Sequence, residues 1–290
     1  MLPVLLDLKF IKIYTMGVFV VLAFFWSSFL LWKLIRLSSF KEEDMFDAFF
    51  NSLLGGLLFG RLIYVFLHFS EFGFNILKIV LVNGYPGFSL YGMYAGIIIS
   101  LLLWTYVKKI KFTEIIDYFV PPAFLALAIG KLGSFFSGLE VGTKTKFILS
   151  VKYANMDGMR NITPLYESIL FFILTLIAYR LLFEIRKERL KKGFTLYFLL
   201  WGQGLIYFLF DNIKQYHLYF INYSFNKMIS IILLLTFSFY FVYYFRGLIL
   251  GRVKDFKNLT IQYVKRSFKS IHSKAKKKDR RGAKKNNSSN

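Results

Sequence analysis

Residues 119–142 read FVPPAFLALAIGKLGSFFSGLEVG, an apolar span that begins near Phe119 and carries a lysine, Lys131, close to its end. An ionised group inside a transmembrane helix costs roughly 2.5–3.5 kcal/mol on insertion scales, so it faces protein or a wet cavity and marks a functional site. Gly130, Gly133, Ser134, Ser137 and Gly138 surround it. Small residues of this kind let a neighbouring backbone or a ligand approach closely.

Working outward, the same reading repeats along the chain. The 290 residues are 56% hydrophobic and 20% aromatic, with only five prolines, the composition of an integral membrane protein. About 20 apolar residues cross the hydrocarbon core. Runs of that length fall near 16–37, 45–68, 88–107, 119–137, 164–183, 194–213 and 226–250. The expected fold is all-α and polytopic, with seven transmembrane helices.

Short cytoplasmic loops carry excess Lys and Arg. Lys33, Arg36 and Lys41 follow the first span, Lys108, Lys109 and Lys111 the third, and Arg180, Arg186, Lys187, Arg189, Lys191 and Lys192 the fifth. That pattern puts the N-terminus outside and the C-terminus in the cytoplasm. The loop after the fourth span, with Lys144, Lys146, Lys152 and Arg160, is a mild exception. Lys9 and Lys12 precede the first span, but its length and the lack of a small-residue cleavage pattern argue against a secretory signal.

Residues 1–250 therefore read as the membrane body and residues 251–290 as a basic cytoplasmic tail. In the tail, Val253, Phe256, Val264, Phe268 and Ile271 recur near helical spacing among lysines and arginines. An interfacial helix has that pattern. The terminal KAKKKDRRGAKKNNSSN has too few apolar residues to fold alone. Anionic membrane lipids are its expected partner, and no nucleic-acid module supports the other use of so much positive charge. The chain has no cysteine and three scattered histidines. No disulfide, thiolate nucleophile, metal or other cofactor is expected.

Placed on this topology, the polar residues converge. Arg61, Tyr64 and His68 share one face of the outer half of the second span, and Ser89 and Tyr91 open the third. Lys131 and Ser134 close the fourth, Tyr166 and Glu167 open the fifth, and Gln203, Tyr207, Asp211 and Lys214 recur toward the end of the sixth. Five spans thus bring polar groups to one level. Each has a plainer reading too: Arg61 could pair with Asp211 or Glu167 merely to neutralise the bundle, Lys131 could snorkel along its methylene stem, and tyrosines belong at membrane interfaces. Together they suit an anionic phospholipid headgroup, with Arg61 and Lys131 on the phosphate and hydroxyls on the glycerol. A transporter would more often show broken helices and internal repeats.

At these residues the sequence resembles the bacterial prolipoprotein diacylglyceryl transferase family. LLGGLLFGRLIYVFLH resembles its second-helix motif and keeps Gly60, Arg61 and Tyr64. GFSLYGMYAGIIIS resembles the third-helix segment, with Tyr91 where the family has a histidine or tyrosine. GKLGSFFSGLEVGTKT is similar to the family signature: Lys131 stands for an arginine, Ser134 for an asparagine, Gly142 for the later glycine, and Glu140 one position after the usual glutamate. RNITPLYES keeps Tyr166 and Glu167, and GQGLIYFLFDNIK has Tyr207 for an arginine, Asp211 for a glutamate and Lys214 for a second arginine.

The resemblance implies transfer of diacylglyceryl from phosphatidylglycerol to the lipobox cysteine of a preprolipoprotein signal peptide, at the bacterial inner membrane, with glycerol phosphate released. It implies Tyr91, Lys131, Tyr207 and Asp211 as catalytic residues. Arg61, Tyr64, Lys131, Ser134, Gly142, Tyr166 and Glu167 would bind the phospholipid. The rival expectation is a relative that binds anionic lipid or signal-peptide helices without transferring anything.

Overall fold

The computed structural model describes residues 3–247 apart from 8, 10, 11, 83, 154, 155, 216–218, 221 and 222. The tail expected over 251–290 lies outside the described residues. A short antiparallel hairpin, β1 (Val4–Asp7) and β2 (Lys12–Tyr14), leads into α1 (Thr15–Ile35). Then follow α2 (Glu42–Leu67), two short helices α3 (Phe69–Phe72) and α4 (Ile76–Val80), α5 (Leu90–Lys108) and α6 (Phe112–Ser137). A loop with the paired strands β3 (Ser150–Val151) and β4 (Arg160–Asn161) precedes α7 (Thr163–Arg186). Helix α8 (Phe194–Phe210) runs on as a 3-10 turn to Ile213, and the hairpin β5 (Tyr219–Phe220) and β6 (Tyr223–Ser224) delivers the chain to α9 (Phe225–Tyr244).

Seven of these helices are long and apolar enough to cross a membrane: α1, α2, α5, α6, α7, α8 with its 3-10 turn, and α9. They match the seven expected spans with two corrections: the seventh, expected to reach 250, ends as α9 at Tyr244, with 248–250 outside the described residues, and the fourth starts at Phe112 rather than near Phe119. Glu114 and Asp117 interrupt the hydropathy there without interrupting the helix. The chain divides into two compact units, Met1–Leu234 and Leu235–Asn290. In the second, the described residues are the last part of α9, with Phe239, Val242 and Tyr243 exposed as a lipid-facing helix requires.

Within the first unit α6 is the central helix. It packs along α1 and α7 and touches α8. Phe124 of α6 is fully buried, its ring 6.2 Å from Phe171 of α7 and 5.9 Å from Phe198 of α8. Helices α2 and α5 form the other close pair, along a seam of glycines. A Cβ at Gly92 would stand 2.9 Å from the Phe59 carbonyl oxygen, and one at Gly96 would overlap Gly55. Lipid supplies no hydrophobic force between helices, so close backbone contact of this kind is what joins them.

Turn chemistry sets the two ends of α6. At its start Asp117 reaches across to α8, accepting from the Gly193 N–H at 2.6 Å, the Thr195 N–H at 3.1 Å and the Thr195 hydroxyl at 2.6 Å. At its end Gly138, with φ +72°, turns the chain out of the helix. That left-handed stop, which favours glycine, folds residues 139–142 back toward the helix terminus.

Candidate active site

Four charged side chains meet at the end of the bundle formed by the last turns of α6 and α8 and the first turn of α7. The Lys131 ammonium lies 2.7 Å from both carboxylate oxygens of Glu140 and 2.8 Å from Glu167 Oε2. Lys214 Nζ is 2.5 Å from Glu167 Oε1 and 3.8 Å from Glu140 Oε2. Cations and anions therefore alternate around a closed ring with no net charge. The side chain of Glu167 is 0% exposed and that of Glu140 37%, so Glu167 is the floor of the ring and Glu140 its mouth. Burying an ion is costly unless it is paired, and the ring pairs every member.

Tyr207 lies under both cations, its ring centroid 4.9 Å from Lys214 Nζ and 5.8 Å from Lys131 Nζ. Where an arginine was the family expectation, the chain puts an aromatic face that attracts two ammoniums. A third cation at that point would leave the ring with excess positive charge. Ser134, one turn along from Lys131, reaches Glu140. The Tyr94 hydroxyl is buried beside Gln203, Tyr207 and Lys131. Tyr91, at the start of α5, donates to Asn226 Oδ1 of α9 at 2.6 Å and lies within electrostatic range of Asp211, which is buried at the end of α8.

Backbone contacts fasten this end. Thr143 N–H donates to the Ile213 carbonyl at 2.8 Å and Gln215 N–H to the Val141 carbonyl at 3.1 Å. Gly142 pairs with Lys214 in an isolated antiparallel bridge and is packed against Asn161 and Thr163, with no room for a side chain. Its role is to let the returning strand bring Glu140 and Lys214 to the same ring. Buried Arg160 supports the bridge, donating to Gln215 Oε1 at 2.8 Å. An apolar cleft of about 400 Å³ lies between α1, α6 and α7, lined by Phe19, Trp26, Ile129, Leu132 and Phe172 among others.

The family model described as prolipoprotein diacylglyceryl transferase matches residues 3–243. The chain belongs to this family. It is therefore a transferase. It is 31% identical over 212 residues to the phosphatidylglycerol–prolipoprotein diacylglyceryl transferase of Clostridium tetani, covering 71% of this chain and 83% of the relative. The corresponding proteins of Finegoldia magna and Clostridium novyi are 25% and 28% identical, each over 70% of this chain and 80% of their own length.

Not every residue that the family resemblance implied joins the ring. Arg61, expected beside Lys131 on one phosphate, is committed elsewhere. Its Nε donates to the Ile79 carbonyl at 2.8 Å, Nη1 to Gly87 at 2.9 Å and Nη2 to Lys78 at 3.0 Å. Phe72 lies 5.1 Å from its guanidinium carbon. Among the described residues it makes no ion pair, with Asp211, Glu167 or any other carboxylate. It clamps the connection between α2 and α5. Tyr64 belongs to the same clamp, stacked on His68 at 4.2 Å. The Tyr166 hydroxyl is spent on the Leu149 carbonyl.

Glu140 and Lys214, conversely, stand in the motifs that carry the resemblance but were not among the residues expected to be catalytic or to bind the phospholipid. Both lie outside helices, so no helical spacing ties them to Lys131. The signal that ties Glu140 to the ring is local: Gly138 is a helix stop two residues before it, and Gly142 follows two residues after it.

Glu140 carries a pH prediction. Burial raises its carboxyl, but Lys131 and Lys214 outweigh that and hold it below the ordinary value of 4.5. A carboxyl with a depressed folded-state value stabilises fully above its unfolded value and loses that contribution as pH falls through the folded one. Thermal unfolding of the purified protein is expected to show a midpoint that drops below pH 4.5, and a smaller drop in Glu140→Gln. Equal acid sensitivity in both proteins would remove Glu140 from this account.

Proposed function

We propose that this protein transfers the diacylglyceryl group of phosphatidylglycerol to the lipobox cysteine of preprolipoproteins, at the outer face of the bacterial inner membrane. The reading places the ring end of the bundle outside and the C-terminus in the cytoplasm. The observation that carries it is the pair of ammoniums, Lys131 and Lys214, whose side chains are each only 14% exposed, held apart by one inaccessible and one accessible carboxylate.

A phospholipid phosphate arriving from the outer leaflet competes with Glu140 for the two ammoniums while Glu167 keeps them in place. Binding swaps one anion for another, so the buried site never carries an uncompensated charge. One acyl chain then has the apolar cleft between α1, α6 and α7 as its path. The cysteine sulfur, as thiolate, attacks the glycerol carbon that bears the phosphate. A C–S bond forms, the C–O bond to phosphate breaks, and glycerol phosphate leaves with a second negative charge developing on it. Two ammoniums in a water-poor site stabilise that charge. Tyr91, at the position of the family's histidine, and Asp211 flank the path by which the thiol proton reaches the departing phosphate. The protein supplies no thiol of its own, in keeping with a chain that has no cysteine.

Purified protein given labelled phosphatidylglycerol and a lipobox peptide is expected to yield a thioether-linked lipid. The label should stay unreacted when a zwitterionic phospholipid replaces the donor. No thioether product from a folded protein overturns the reading in favour of a binding protein.

A further inference from the structure

The loop between α6 and α7 ends in an apolar tip, Phe147-Ile148-Leu149, with the three side chains 55%, 93% and 57% exposed. These residues belong to no membrane-spanning helix, so the bilayer that covers the helices does not by itself account for them. The tip is built rather than loose. Phe147 N–H donates to Thr145 Oγ1 at 3.2 Å, the Ser150 hydroxyl donates to the Phe147 carbonyl at 2.7 Å, and β3 pairs with β4 just behind.

Its position comes from α7. The Tyr166 hydroxyl grips the Leu149 carbonyl, and the Tyr166 ring lies 5.9 Å from Phe210 of α8. Ile169, one turn along α7, is half exposed on the lipid-facing surface. The tip is thus fastened at the first turn of a membrane helix, where acyl chains give way to headgroups. Around it Lys144, Lys146 and Lys152 are exposed, and none makes an ion pair among the described residues.

We propose that this loop is an interfacial anchor that inserts Phe147, Ile148 and Leu149 into the outer leaflet and gathers anionic phospholipid around its lysines. Apolar residues flanked by unpaired lysines are the pattern of a surface that binds anionic bilayers. The loop continues directly from Glu140, so lipid collected by the lysines stands next to the ring. The inference rests on the outward orientation given above. It also supplies a use for the positive charge that made this loop an exception.

Because the chain has no cysteine, Ile148→Cys places one environment-sensitive fluorophore on the tip, and Asp157→Cys one on the same loop away from it. The full chain would be reconstituted into vesicles of phosphatidylcholine with or without phosphatidylglycerol. The label at 148 is expected to be quenched by lipids spin-labelled near the headgroup and shielded from iodide, and the label at 157 is not. Changing any one of Lys144, Lys146 and Lys152 to glutamine should shift the tip from embedded to iodide-accessible by about fivefold in the anionic vesicles, since each lysine near such a surface contributes about 1 kcal/mol.

A label at 148 that stays open to iodide in both kinds of vesicle overturns the anchor. So does one shielded only when a lipobox peptide is added, which would assign the tip to the peptide. Assaying transfer on the same preparations separates the two readings. An active enzyme with a water-exposed tip refutes the anchor alone, and an embedded tip on an inactive protein refutes the transferase alone.

Discussion

Lys131→Ala is expected to lower diacylglyceryl transfer by about 100- to 1,000-fold, the usual cost of removing one preorganised charge-stabilising group. The same change should destabilise the protein. Without Lys131, the fully inaccessible Glu167 keeps only Lys214, and Glu140 keeps only a contact at 3.8 Å. Removing one partner of a buried ion pair costs about 3–5 kcal/mol, because the other charge is left uncompensated. An inactive Lys131→Ala protein could therefore be merely unfolded.

A paired change tells the two effects apart. Lys131→Met with Glu140→Gln removes one charge of each sign and leaves the Lys214–Glu167 pair at 2.5 Å intact. Thermal unfolding of this double variant should return toward the parent, while transfer stays lost. Lys131→Arg keeps the charge and adds a planar fork suited to phosphate, so it should retain activity within about tenfold. Transfer at the parental rate by Lys131→Ala or by the double variant would remove the ring from the chemistry.

How much of this was legible in the sequence follows from where each residue sits. The seven spans were, because 20 apolar residues in a row have few other fates. Lys131, Glu167 and Tyr207 were brought to one level by counting turns along helices, and they do meet in the ring. Lys214, counted with Tyr207 and Asp211 on the sixth span, stands just past its last 3-10 turn, and Glu140 completes the ring from a segment where helical periodicity does not apply. The left-handed turn at Gly138 and the bridge between Gly142 and Lys214 carry that information, and neither has a period.

Arg61 shows the opposite limit. Its helical face, shared with Tyr64 and His68, was read correctly, yet the face alone does not say what covers it. The carbonyls of Lys78, Ile79 and Gly87 do, and they come from a connection whose path depends on the short helices α3 and α4. The start of α6 was missed for a related reason. A window that penalises charge stops at Asp117, whereas the folded protein satisfies that carboxylate with three donors from α8.

Those three donors make Asp117→Ala the other large effect. Gly193 adopts φ +86° and no side chain of its own segment caps α8, so the first N–H groups of the helix have no helical partner. Asp117, 2% exposed, supplies the missing acceptor from a neighbouring helix, and its negative charge faces the positive end of the helix dipole. Hydrogen bonds to a charged group contribute about 1.5–3 kcal/mol each and do not simply add. Alanine is therefore expected to lower stability by about 3–4 kcal/mol, with two backbone N–H groups left buried and unpaired. Asparagine keeps the shape but turns one acceptor into a donor facing another donor, and should lose about half as much. Thr195→Val, which deletes only the hydroxyl, should lose least. Thermal unfolding of the three proteins in detergent checks the order, and an Asp117→Ala protein that melts with the parent would rule out the cap. Transfer measured well below the unfolding transition should survive in all three, because Asp117 acts on the first turn of α8 while Tyr207 and Asp211 lie at its far end.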